Sequence, residues 1–108
     1  MNRVHHPVCC IEVEAWSARE AFRCDDAEIW IDADSILISY FDDEGMVVLE
    51  GRPEPSGGWQ LVARSRPWRA FLRPIGDSPD NLAGEIDEQG ESVSWRVRLG
   101  PDPGPAES

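Results

Sequence analysis

The stretch Leu82-Ala83-Gly84-Glu85-Ile86-Asp87-Glu88-Gln89-Gly90-Glu91-Ser92-Val93-Ser94-Trp95-Arg96-Val97-Arg98-Leu99 carries the clearest structural signal in the chain. Val93, Trp95, Val97 and Leu99 alternate with Ser94, Arg96 and Arg98, which is the period of two of a strand with one face buried. Gln89-Gly90 offers a two-residue turn, and glycine accepts the positive φ that such turns require. Folding the chain there pairs Glu88 with Glu91, Ile86 with Val93 and Gly84 with Trp95. A glycine across from an indole leaves room for the ring. The hairpin then has one apolar and one polar face, and the apolar face needs a second layer to cover it.

The same grammar repeats upstream. Strand-like runs occupy Glu28–Asp32, Ile36–Phe41, Met46–Glu50, Trp59–Ser65 and Trp68–Arg73. Between them lie the turn residues Ala33-Asp34 and Asp42-Asp43-Glu44-Gly45, the loop 52–58 and a sharp corner at Arg66-Pro67. Short strands at this spacing, with no helical segments between them, predict an all-β antiparallel meander: a small barrel or twisted sandwich of about seven or eight strands. The N-terminal segment reads as a strand over Val8–Trp16. A capping box, Ser17-Ala18-Arg19-Glu20, then favours a short helix from Ala18 to about Cys24, while Trp16, Ala18, Glu20 and Phe22 also fit one face of a strand. Residues 1–99 form one β-rich domain, and the Pro/Gly/acidic run 100–108 is read as a disordered tail.

The chain has 108 residues and a formal net charge of −11. It contains ten Arg and no Lys, so no Schiff-base or phosphate-loop lysine exists. Residues 1–50 hold 12 Asp and Glu against 3 Arg; residues 51–108 hold 9 against 7. Such a chain is repelled by nucleic-acid phosphates and by anionic membrane surfaces. The N-terminus shows no apolar signal region, and no run is long enough to span a bilayer, so a reduced cytoplasmic location is expected. Cys9, Cys10 and Cys24 are odd in number and make no disulfide framework.

Two faces follow from the strand registers. A tight corner at Arg66-Pro67 sets Arg64 beside Arg69, Val62 beside Phe71 and Gln60 beside Arg73. The opposite face carries Trp59, Leu61, Ala63, Trp68, Ala70 and Leu72 as core. Arg96 and Arg98 extend the cationic stripe from the last strand. Such a stripe is either a solvated face paired with nearby carboxylates or a docking patch for an acidic partner. In the first hairpin Ile29 pairs with Ile38 and Ile31 with Ile36, while Trp30, Leu37, Phe41, Met46 and Val48 make the other face apolar too. Barrel closure or the N-terminal segment covers this second face, or it is a cavity or a dimer interface. The candidate interaction surface is therefore Arg64, Arg69, Phe71, Arg73, Arg96 and Arg98 with Trp30 and Phe41.

No catalytic, cofactor or metal motif stands out. His5, His6, Cys9, Cys10 and Cys24 lack metal-ligand spacing. Asp32-Ala33-Asp34-Ser35 and Asp42-Asp43-Glu44-Gly45 resemble fragments of calcium loops but are also what tight turns need. Three readings of function remain. The first is a small acidic protein-interaction or inhibitory module, binding a basic partner as an immunity protein or antitoxin binds a nuclease, or associating with itself. The second is a barrel carrier of a small apolar ligand lined by Trp59, Trp68 and Trp95. The third is an enzyme built on carboxylates at the barrel rim.

Overall fold

A computed structural model describes residues 4–14, 20–42, 45–64, 66–76, 80–88 and 90–100. Eight strands follow one another: β1 (Val4–Val13), β2 (Phe22–Ile31), β3 (Ile36–Asp42), β4 (Gly45–Pro53), β5 (Trp59–Ala63), β6 (Trp68–Pro74), β7 (Asn81–Glu88) and β8 (Glu91–Arg98). Each pairs antiparallel with the next, and β1 closes on β8 through Ile11–Val97 and Val13–Trp95. The β1–β8 contact spans Cys10–Val13, and through it each of the eight strands has a neighbour on both sides over part of its length. No helix among the described residues is long and apolar enough to cross a membrane.

Alternation puts one side chain in two inside. Ile36, Leu61, Ala70, Ile86 and Val93 lie in one register row, with Gly51 between Ile36 and Leu61. The small members Gly51 and Ala70 alternate with larger ones, which fits side chains into a narrow barrel. Fully burying each aliphatic side chain of the core contributes roughly 1.5–3 kcal/mol.

The predicted hairpins at Ala33-Asp34 and Gln89-Gly90 have the registers read from the sequence: Ile29–Ile38, Ile31–Ile36, Ile86–Val93, Gly84–Trp95 and Glu88–Glu91. The reason for Gly84 is sharper than room for an indole. A methyl there would lie 1.7 Å from the Phe71 carbonyl oxygen, and that oxygen accepts the Trp95 Nε1–H at 3.0 Å. Close approach of the β6 backbone gives the buried indole its acceptor.

Two expectations need correction. The β5–β6 register is Val62–Arg69 and Gln60–Phe71, two residues away from the tight corner expected. Arg64 N donates to Val48 O, and Arg66 leaves the ladder to clamp Asp42, so the turn is wider. A slide of two keeps each side chain on its face, where a slide of one would invert them all. The helix expected over 18–24 is strand at residues 22–24, paired with Ile11, Glu12 and Val13. Phe22 packs 5.8 Å from Tyr40 and Cys24 is buried, while Arg23 and Asp25 are exposed; burial at alternate positions overrides the capping box. Residues 15–19, which hold Trp16 and most of that box, lie outside the described residues, as does the tail 101–108.

The β1–β2 ladder slips twice. Between His6–Ile29 and Cys9–Ala27, β1 carries one extra residue; between Cys9–Ala27 and Ile11–Cys24, β2 does. Each is a bulge. The first contains Pro7, which cannot donate to a ladder. The second lets Asp25 and Asp26 both face outward.

Candidate interaction faces

The three tryptophans suggested as a ligand site do not converge. Trp59 opens β5 and Trp68 opens β6, so in antiparallel neighbours they sit at opposite barrel ends. Trp95 is 1% exposed and tied to β6 by its indole hydrogen bond. Trp68 is buried beneath the Arg66 guanidinium, which lies 4.8 Å from its ring. Arg66 forks onto Asp42 at 2.5 and 2.8 Å, with 11% and 6% side-chain exposure. This desolvated bidentate pair pins the β3 end over Trp68. No local pattern points to the pair, because 24 residues separate its members.

The outer side holds the rest of the predicted surface. Arg64, Arg69, Arg73 and Phe71 do share the outer face of β5–β6. Arg96 and Arg98 are on β8, with β7 intervening; Ala83 stands between Arg73 and Arg96, which places those strands about 10 Å apart. Trp30 and Phe41 are elsewhere. Trp30 pairs with Leu37 and stacks on His5 at 4.6 Å, whereas Phe41 lies four residues further along β3, about 13 Å away. Phe41 is 64% exposed beside Met46.

Charge pairing divides the arginines. Arg64 is bonded to Glu50, which raises its pKa. Among the described residues, none of Arg52, Arg69, Arg73, Arg96 and Arg98 has a carboxylate oxygen within 4.0 Å. Asp87 is opposite Arg69 and Glu12 opposite Arg96 in register, yet neither pair closes. Beside this stripe Val62 is 54% and Phe71 43% exposed. An open trough of about 820 Å³ runs along the outside here, with Leu37, Arg52, Gln60, Val62 and Arg69 in its wall. The contribution of Arg52 was not apparent from the sequence; the register Arg52–Gln60 brings it alongside.

The β1–β2 outer face is the acidic one. Glu12, Asp25, Asp26 and Glu28 are exposed there, with Arg23 the guanidinium among them. Arg23 binds Asp25 at 3.1 Å and Glu12 at 3.4 Å; its hydrogen bond holds the Asp25 carboxyl below the usual range. Glu28 Oε1 lies 3.0 Å from His5 Nε2. The Cys24 thiol donates to Asp26 at 2.9 Å, and burial is the main cause that pushes it up. Burial likewise raises Cys9 and Cys10, so none of the three thiols is poised as a thiolate.

His5 and His6 point to opposite sides of β1. His6 is buried and its Nδ1 lacks a hydrogen-bond partner. Among the described residues no three His, Cys, Asp or Glu side chains could hold a metal ion. In the Asp32 turn, Oδ1 accepts from Asp34 N at 2.8 Å and Ser35 Oγ at 3.1 Å, so its carboxylate closes the turn. Asp43 and Glu44, from the other calcium-like fragment, lie outside the described residues.

Set against protein families, curated proteins and solved structures, the chain finds no match in any of the three.

Proposed function

We propose that the protein is a protein-interaction module whose partner docks on the outer face of β4–β6. The observation that carries this reading is the group of unneutralised arginines Arg52, Arg69 and Arg73 beside exposed Val62 and Phe71 on a chain of net charge −11. In a chain so rich in carboxylates, local pairing is the default for an arginine. Apolar side chains flanked by arginines have the composition of an interface centre. The acidic β1–β2 face supports a second mode, in which a basic partner is met as an immunity protein meets a nuclease.

The carrier reading is weaker because Leu61, Leu72, Trp95 and their neighbours fill the barrel interior. The enzyme reading is weaker because Glu50, one of two carboxylates in the trough, is held by Arg64. Native mass spectrometry of the protein purified gently from its host tests the proposal. The expected result is a retained second protein chain that Phe71→Asp releases. A retained small molecule with no protein partner would overturn it in favour of the carrier.

A further inference from the structure

The barrel is electrically two-sided. Its eight strands follow chain order around the axis, so each lies across from the strand four places on. β1 and β2 are therefore diametrically opposite β5 and β6. The β1–β2 side presents Glu12, Asp25, Asp26 and Glu28 against Arg23; on the β5–β6 side the two strands carry no carboxylate and present Arg69 and Arg73, with Arg64 held by Glu50 of β4 and with Glu85 and Asp87 of β7 bordering them. Both sides also expose apolar side chains, Val4 and Val8 on one, Val62 and Phe71 on the other. The bulge at Asp25-Asp26 strengthens the polarity, because a regular strand would send one of these two carboxylates inward.

We propose that the β5–β6 face receives the β1–β2 face of a second copy of this chain, in a head-to-tail contact. The inference rests on the reading of β5–β6 as a docking surface and names its occupant. The complementary halves are present on one molecule: planar guanidinium forks on one side and carboxylates that match them on the other. The molecule measures 41 × 29 × 28 Å, so its long side exceeds the roughly 800 Å² that each partner buries in a standard interface. A contact between unlike faces leaves one free face of each kind at the ends, so it propagates into rings or chains. The net charge of −11 opposes approach of two copies, and moderate salt screens that long-range repulsion more than contacts made at short range.

Sedimentation velocity of the full chain over a concentration series, at about 0.15 M salt, is the test. The wild type is expected to sediment faster as concentration rises. R69S/R73S removes one face and D25S/E28S the other, so each variant alone stays monomeric at concentrations where the wild type associates. Their equimolar mixture is expected to form a 1:1 dimer and stop there, because each partner retains one working face. A wild type that is monomeric throughout overturns the proposal, as does a mixture that gives no dimer or a single variant that associates like the wild type. Should either variant fail to fold, Phe71→Ser and Val8→Ser provide the same pair of caps. A monomeric wild type that still retains a different protein from its host would leave the docking surface standing and remove only the second copy.

Discussion

The β7–β8 hairpin and the β1–β2 pair do the same job in one barrel with opposite discipline. In β7–β8, eight successive residue pairs run unbroken from Asn81–Arg98 to Glu88–Glu91. In β1–β2 the ladder slips twice, once in each strand. An unbroken ladder transmits the period of two from the turn to the far end, so one misplaced residue inverts everything beyond it. A bulge absorbs an extra residue locally and lets the apolar side chains on either side return to the core. The regular pair should therefore be brittle to changes in length, and the bulged pair forgiving.

Deletion of Ser94 breaks the regular pair and is the largest effect expected. Beyond Val93 it would turn Trp95 and Val97 outward and bring Arg96 and Arg98 into a core without partners for them. Each buried unpaired charge costs several kcal/mol, against a total stability of about 5–15 kcal/mol for a domain. The variant should show no cooperative thermal transition and no near-ultraviolet circular dichroism from its tryptophans. A retained cooperative melt would mean that the β8 register is not what fixes the fold.

The same contrast explains what the sequence could reveal. The antiparallel all-β meander, the two tight hairpins and the inward set Leu61, Ala63, Trp68, Ala70 and Leu72 were readable because alternation and turn chemistry agreed. The β5–β6 register differs by two residues from the one a tight Arg66-Pro67 corner implies, because Arg66 is drawn out of the ladder by Asp42, far away in sequence. At the start of β2, Ser17 and Glu20 fit a helix cap, while tertiary pairing with Ile11–Val13 makes residues 22–24 strand. The arginine face was visible residue by residue. Whether each arginine found a carboxylate depended on side-chain reach across strands, which a linear sequence does not encode: Arg64 reaches Glu50, and Arg69 does not close on Asp87.

His6 makes the bulged pair sensitive to pH. It lies beside the first bulge, facing inward, with Asp80 and His5 the charges that act on it. Burial is the largest influence and lowers its pKa below 6.5. As pH falls below 6.5, the unfolded chain takes up this proton before the folded one does, so stability is lost toward the folded pKa. The urea midpoint of the wild type is expected to fall as pH drops below 6.5. His6→Phe should flatten that decline, because an apolar ring replaces a buried group whose Nδ1 has no partner. An unchanged slope in the variant would place the acid sensitivity elsewhere.

Deletion of Asp26 is the smallest effect expected, and it tests the forgiving side directly. At present Cys24 and Ala27 face inward with two outward aspartates between them. Removing Asp26 leaves Cys24 inward, Asp25 outward, Ala27 inward, Glu28 outward and Ile29 inward, which is plain alternation. It also matches β1, where two steps separate Cys9 from Ile11, so the Cys9–Ala27 and Ile11–Cys24 pairs would join into one regular ladder. The lost contact is the Cys24 thiol's hydrogen bond to Asp26. Stability by urea unfolding should stay within about 1 kcal/mol of wild type, with the cooperative transition kept, in contrast to the deletion of Ser94. A collapse comparable to that deletion would show that the bulge sets the curvature on which barrel closure depends. A mild effect would leave the outward display of paired carboxylates as what the extra residue contributes, and would tie the irregular half of the ladder to the charge of its outer face.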